Sequence, residues 1–414
     1  MKVVVFSLGC KVNQYEGQSI IKELISRGVD ATDRLEKADC YVINTCSVTA
    51  EADKKSRQAV ARVLKLNKDA KVIICGCSSQ NDAKQYENKP NVTVISGTSG
   101  KMRLIESIMS DIIRGNIVEN PPTVYEDDLY GELTNTRGFI KVQDGCNNFC
   151  SYCIIPYLRG RSRSRSLESI TREVQEMATK TKEIVITGIN VSDYGANIGL
   201  TLLDLVKALN EIKGVRYRFG SLECRVITDE LLREMKKGNW CDFFHLSMQS
   251  GSNAVLKKMN RHYTSEEFIE KTDLIRRYFE NAGITTDVIV GFPTETEENF
   301  LETVETCKRV AFSAIHVFPY SVRQGTVAEK LPKVDKSVAL LRASRLREVS
   351  KSLKDEFILK QIGKEELVLF EEEEEDGFAT GFTSNYVKVY STAQPGEYKK
   401  VKLTVPFKDG IKGE

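Results

Sequence analysis

Short apolar runs alternate with helical stretches in two successive series along this chain, and that alternation restricts its fold more than any other feature. In the first series the runs are residues 3–7, 40–44 and 72–75, with helical patterns over 15–27 and 51–66. Strands that alternate with helices need crossover connections, so a parallel α/β sheet is expected. The second series starts at Gly138. Its runs are 139–142, 184–187, 217–222, 243–248, 285–290 and 315–320, with helical patterns over 167–179, 202–212, 229–237, 266–282 and 298–310. Six such units predict a partial (βα)6 barrel, short of eightfold closure. A helix-rich stretch, 334–361, follows. The last fifty or so residues alternate with period two between glycines, which reads as a small antiparallel β-barrel. Pro121-Pro122 and the acidic Glu126-Asp127-Asp128 mark 116–135 as a linker. The expected organisation is therefore an α/β domain over 1–115, the linker, a central barrel over 136–360 and a terminal barrel over 361–414.

Composition narrows the setting. The 414 residues are enough for two or three domains at about 150 residues each. Hydrophobic residues make up 41% and charged residues 29%, which excludes disorder as the main state. The net charge is only +2, so any nucleic-acid contact must come from local basic patches. No apolar run approaches 18 residues, so no membrane span is expected, and the opening apolar stretch is too short for a secretory leader. A cytoplasmic protein is expected, and there its eleven cysteines would stay reduced. An odd and high number of reduced cysteines points to metal or redox chemistry before disulfides.

Three of them, Cys146, Cys150 and Cys153, lie in Gly145-Cys146-Asn147-Asn148-Phe149-Cys150-Ser151-Tyr152-Cys153, after the first strand of the second series. A structural zinc site needs four ligands, and His245, His262 and His316, the only histidines, are distant in sequence. Three thiolates suit a 4Fe–4S cluster with one open iron. A zinc knuckle completed by a remote residue, or simple buried thiols, are the competing readings. The CxxxCxxC spacing in this barrel context resembles that of radical S-adenosylmethionine (SAM) enzymes. The resemblance implies that the open iron chelates SAM and that reduction releases a 5′-deoxyadenosyl radical. It also implies SAM contacts by Tyr152, beside the adenine, and by Gly188, Ser221, Glu223 and Gln249 at strand ends. Taken singly, Tyr152 is as well explained by core packing, and the others as turn or cap residues.

Cys10, Cys46 and Cys77 form a second set, each just past the carboxyl end of an expected strand. Those ends share one edge of a parallel sheet, where loops converge on a site. Cys40 and Cys75 fall at or within strands and read as core thiols. Three ligands again leave an open metal position, which suggests an auxiliary 4Fe–4S cluster; inert buried thiols are the alternative. Asn13 reads as a loop hydrogen-bonding residue.

The words Gly9-Cys10-Lys11-Val12-Asn13-Gln14-Tyr15-Glu16 and Asn44-Thr45-Cys46-Ser47-Val48-Thr49, the stretch 153–165 and the domain order resemble the methylthiotransferases. The segment 381–389 is similar to the RNA-binding TRAM module of that family. Its opening and its Gly-Arg-Ser-Arg-Ser-Arg stretch look most like the branch that acts on N6-threonylcarbamoyladenosine 37 of tRNA. The resemblance implies two 4Fe–4S clusters, SAM, a tRNA anticodon stem-loop as partner, and an electron donor such as flavodoxin or ferredoxin. Residues 323–326 depart from it: Arg-Gln-Gly-Thr stands where the family usually has Arg-Pro-Gly-Thr. Arg159, Arg161, Arg163 and Arg165 are expected to contact phosphate, with pairing to Glu168 and Glu173 as the alternative. Tyr386 and Lys388 are the RNA-binding residues expected in the terminal barrel, Phe382 is expected in its core, and the acidic run 371–376 on a turn away from RNA. An isopentenyladenosine substrate, or a non-catalytic RNA-binding protein with structural metal sites, are the rival readings.

Overall fold

A computed structural model describes residues 1–110, 113–131, 136–373 and 377–414. Its first sheet has six strands, β1 (Lys2–Ser7), β2 (Asp30–Thr32), β3 (Cys40–Thr45), β4 (Lys71–Gly76), β5 (Val92–Ile95) and β6 (Gly115–Asn116). They run in parallel in the order β2-β1-β3-β4-β5-β6. The helices α1 (Lys11–Ser26), α2 (Ala50–Leu64), α3 (Cys77–Asn81), α4 (Lys84–Glu87) and α5 (Lys101–Met109) are its crossovers. β3 is buried along its whole length, as a central strand covered on both faces must be. Cys40 and Cys75 lie in its core, beside Val3 and Ile20, as expected.

The second series forms β7 (Arg137–Asp144), β8 (Arg163–Ser164), β9 (Glu183–Gly188), β10 (Arg216–Phe219), β11 (Phe243–His245), β12 (Gly283–Val290) and β13 (Ala314–Pro319). β7, β9 and β10 pair in parallel, as do β11, β12 and β13. Parallel bridges Tyr217–Trp240 and Leu222–Leu246 join the two groups into one open barrel of six main strands. The short β8 is an antiparallel addition at the β7 edge. A continuous core of Ile140, Ile186, Phe219, Leu246, Val288 and Phe312 packs with the outer helices.

The terminal barrel closes in the order β14-β15-β16-β18-β17: β14 (Glu365–Glu373), β15 (Ala379–Phe382), β16 (Lys388–Ser391), β17 (Tyr398–Phe407) and β18 (Gly410–Gly413). All its pairs are antiparallel except β16 with β18. The expected linker is a packed strap where it is described. Tyr125 donates to the Lys141 carbonyl at 2.9 Å, Asp127 pairs with Arg165 at 2.7 Å and the Gly131 amide donates to Glu173 at 2.9 Å. Within the acidic run, 374–376 lie outside the described residues. Glu371 does not face away: it pairs with Arg137 at the base of the central barrel.

Candidate functional site

Three adjacent parallel strands, β1, β3 and β4, deliver Cys10, Cys46 and Cys77 to one edge. Cys10 caps the start of α1 and is exposed; Cys46 and Cys77 are 3% exposed. Two glycines make this convergence sterically possible. Gly9 has φ +91°, and a Cβ there would collide with Cys46 Sγ. Gly76 has φ +98°, and a Cβ would collide with the Thr45 backbone. Asn13, fully buried, ties two of the loops by donating to Leu8 O at 2.9 Å and Thr45 O at 2.8 Å. That is the loop role expected of it.

Cys146, Cys150 and Cys153 occupy the loop between β7 and a short helix, α6 (Ile155–Arg159). The Asn148 amide points at Cys146 Sγ from 3.5 Å, and Arg261 Nη1 at Cys150 Sγ from 3.5 Å. The two thiol sets meet through α6. Its Ile154 neighbour, Ile155 and Leu158 pack in one cluster with Cys77 and Cys153. Arg159, at its end, donates to Cys77 Sγ at 3.3 Å, Asn13 Oδ1 at 2.9 Å, Glu16 Oε1 at 2.8 Å and Asp144 Oδ1 at 3.1 Å. Lys141 bonds both carboxylates as well, at 2.8 and 2.7 Å.

The donor chemistry fits iron–sulfur clusters. Each set offers three soft sulfurs and no carboxylate or imidazole among them, with N–H groups aimed at the sulfurs. Burial pushes the Cys77 and Cys146 thiols up to about 11 and Cys153 up to about 12. Such thiols hold their protons at neutral pH until a metal replaces them. Burial raises the Glu16 carboxyl, but Arg159 and Lys141 outweigh it and hold it at about 2.

The residues expected around SAM sit at successive strand ends. Gly188 ends β9, where a Cβ would press on Gln143 at 3.0 Å. Ser221, half-buried, and Glu223 follow β10. The Glu223 carboxylate is held beside the cluster loop by Asn148, by Arg225 at 2.6 Å and by Arg261 at 3.2 Å. Gln249 follows β11 in a left-handed conformation, φ 66°. The Tyr152 ring meets Phe292 edge-on at 6.5 Å, within a cluster that includes Val255, Met259 and Ala328.

The phosphate-contact expectation for the arginine stretch needs correction. Arg159, Arg163 and Arg165 are 0%, 2% and 0% exposed, because buried carboxylates claim them. Arg163 pairs with Asp144 at 3.2 Å, and Arg165 pairs with Glu173 and Asp127. Only Arg161 is exposed, with its guanidinium 4.4 Å from the Phe149 ring centroid. Tyr386 is likewise turned inward. Its hydroxyl bonds Glu183, and its ring stacks on Phe382 at 5.2 Å and lies 4.5 Å from Phe243. It seats the terminal barrel on the base of the central one and cannot stack on RNA there. Phe382, expected in the terminal core, is half-buried at this junction. Lys388 is half-buried, 3.4 Å from Asp409.

Arg261, Lys141, Glu16 and Arg323 were not singled out from sequence. Arg323 falls in the divergent 323–326 stretch and donates to Ser47, beside Cys46, at 2.6 Å. No local pattern marks such residues, since each acts on a partner far along the chain.

An open six-stranded parallel barrel with a three-thiol loop after its first strand defines a radical SAM protein. The Radical SAM superfamily model matches residues 140–307, and the model "Uncharacterized protein family UPF0004" matches residues 2–97. The solved radical S-adenosylmethionine methyltransferase TsrM of Kitasatospora setae shares the fold at a TM-score of 0.58 and 15% identity, over 80% of this chain and 77% of that one. Curated relatives are closer in sequence. Threonylcarbamoyladenosine tRNA methylthiotransferase MtaB of Bacillus subtilis (strain 168) is 36% identical over 99% of this chain and 96% of its own. Its Aquifex aeolicus (strain VF5) counterpart is 38% identical over 94% and 96%. A tRNA-2-methylthio-N(6)-dimethylallyladenosine synthase of Thermoanaerobacter sp. (strain X514) is 37% identical over 88% and 80%. The chain belongs to the radical SAM methylthiotransferase family.

Proposed function

We propose that this protein converts N6-threonylcarbamoyladenosine at position 37 of tRNA to its 2-methylthio derivative. The observation that carries the proposal is the pairing of two three-thiol sites through one short helix, which packs with Cys77 and Cys153 and ends in Arg159 on Cys77 Sγ. Insertion of sulfur at an adenine carbon breaks an unactivated C–H bond, which side-chain acids and bases cannot do at neutral pH. When bound, two 4Fe–4S clusters and SAM supply the radical and the methylated sulfur for that step.

The chain's own residues position and shield. Cys146, Cys150 and Cys153 hold one cluster, and Cys10, Cys46 and Cys77 the other. Arg159 and Arg261 place positive charge beside the sulfurs. Gly188, Ser221, Glu223, Gln249 and Tyr152 form the SAM pocket at the strand ends. The barrel wall keeps water from the reacting atoms. Arg161 and the lysines of the terminal barrel, Lys388 among them, provide contacts to an anticodon stem-loop; that barrel serves as a TRAM module. A flavodoxin or ferredoxin supplies electrons, and the setting is the cytoplasm. No helix among the described residues is long and apolar enough to cross a membrane. The functional units are 1–115, 136–360 and 361–414, with 116–135 joining the first two.

Mass spectrometry of tRNA nucleosides from a strain lacking the gene tests the reading. The 2-methylthio derivative of threonylcarbamoyladenosine should vanish and its precursor accumulate. An unchanged level, with loss of methylthiolated isopentenyladenosine instead, would transfer the assignment to the other branch.

A further inference from the structure

Two imidazoles and a carboxylate gather on three neighbouring strands of the central barrel. β11, β12 and β13 run in parallel, with His245 opposite Thr285 and Asp287 opposite His316. Side chains alternate between the two faces along a strand. Phe244, Ile284, Val288 and Ile315 belong to the apolar core that packs with the outer helices. Their neighbours His245, Asp287 and His316 therefore point the other way, into the barrel interior. The ligand atoms of these three lie within 4.8 Å of one another. The His245 and Asp287 side chains are 13% and 31% exposed and His316 is exposed, so small solutes reach the group.

Hydrogen bonding within the protein does not account for this grouping. His245 Nδ1 lies 2.9 Å from Thr285 Oγ1, a contact that orients the ring. Its Nε2 then faces Asp287 Oδ2 at 3.4 Å, longer than the about 2.9 Å of a good N–H···O bond. Among the described residues no lysine or arginine pairs with the Asp287 carboxylate; Lys11, whose charge reaches it, forms no ion pair with it. Arg137, Arg216 and Arg218 do not compete for it either, since Glu183 holds all three. The His316 ring meets only the His245 ring, at 5.9 Å. A metal ion about 2.0–2.1 Å from each ligand atom sets neighbouring ligand atoms about 3.0–3.4 Å apart. His245 and Asp287 already stand at 3.4 Å. His316 closes on them with a movement of at most about 1.4 Å, small for an exposed ring.

We infer that His245, Asp287 and His316 bind a divalent first-row transition-metal ion such as zinc, with positions left open toward the barrel interior. Two imidazole nitrogens and one carboxylate select such an ion over magnesium or calcium, which take oxygen ligands. The three ligands come from one wall of the barrel and occupy one face of the ion. Water, or an oxygen of a bound molecule, completes the shell from the other side. This site is chemically distinct from both thiol sets, which offer only sulfur. The inference does not depend on the proposed function, because metal binding is read without RNA or turnover.

The test uses the cluster-loaded full chain under anaerobic conditions, freed of loosely held metal by a chelator and titrated with Zn²⁺. Calorimetry should show one zinc per chain, and Mg²⁺ should give no comparable heat. X-ray absorption at the zinc edge should show nitrogen and oxygen neighbours at about 2.0–2.1 Å and no sulfur at about 2.3 Å. That shell separates this site from zinc captured by a cysteine set. His316→Ala, at an exposed position, and Asp287→Asn should each weaken zinc binding by more than about a hundredfold, and His316→Asp, which keeps a ligand, should restore part of it. Thr285→Val removes only the support of His245 Nδ1 and should weaken binding about tenfold. An iron content of about eight per chain in each variant confirms that the fold and both thiol sites persist. The absence of a stoichiometric site, sulfur in the zinc shell, or wild-type affinity in both His316→Ala and Asp287→Asn would overturn the inference.

Discussion

Arg159→Met removes the α6 side chain that ties Cys77 and α1 to Asp144 of β7. Arg159 is fully buried and donates to Glu16, Asp144, Asn13 and Cys77 over 2.8–3.3 Å. Truncating one partner of a buried ion pair costs about 3–5 kcal/mol. Here Lys141 still reaches both carboxylates, and Arg163 still reaches Asp144. The lower figure, about 3 kcal/mol, is therefore expected. The loss should be local, in the docking of α1 against α6. Native-state hydrogen exchange of those two helices should accelerate about a hundredfold, because each 1.36 kcal/mol is a factor of ten. Amides around Trp240, in the central core, should be nearly unaffected. A double-mutant cycle with Glu16→Gln isolates the pair, and its coupling should exceed about 1.5 kcal/mol. Additive effects, or uniform acceleration across all three units, would refute the idea that this ion pair docks α1 against α6.

Two further outcomes follow from the same geometry. Gly9→Ala places a methyl group against Cys46 Sγ at a left-handed backbone position. Iron per reconstituted chain should fall from about eight to about four, with the Cys146 site retained, as read by iron analysis and absorption. Glu16 is held at about 2 against an ordinary value of 4.5, so its contribution is present above 4.5 and is lost as pH falls toward 2. Protection of α1 amides should therefore drop by about 3 kcal/mol across that window, and Glu16→Gln should flatten the profile.

Much of this architecture is legible in the chain because its signals are local. The apolar runs of both series fall on observed strands, and the three-thiol loop follows β7 as its spacing implies. Cys10, Cys46 and Cys77 could be grouped because parallel topology sends successive strand ends to one edge. For the arginine stretch the sequence offers phosphate first and Glu168 or Glu173 as the alternative, and nothing local decides between them; for Arg165 the Glu173 alternative holds. Arg165 looks like a phosphate ligand until Glu173, eight residues on, and Asp127, from the strap, enclose it. Tyr386 misled for the same reason, since its partner Glu183 is 203 residues away. Helix α1 begins at Lys11, one turn before its apolar periodicity is evident, because Cys10 occupies its N-cap position with extended backbone.

The five-residue helix α6 leaves no slack between the two thiol sites. Its N-terminal end is tethered to Cys153 by the chain, and its last residue grips Cys77. Iron arriving at one location therefore steadies the helix that borders the other, so the second cluster should seat faster than the first while either can still be held alone.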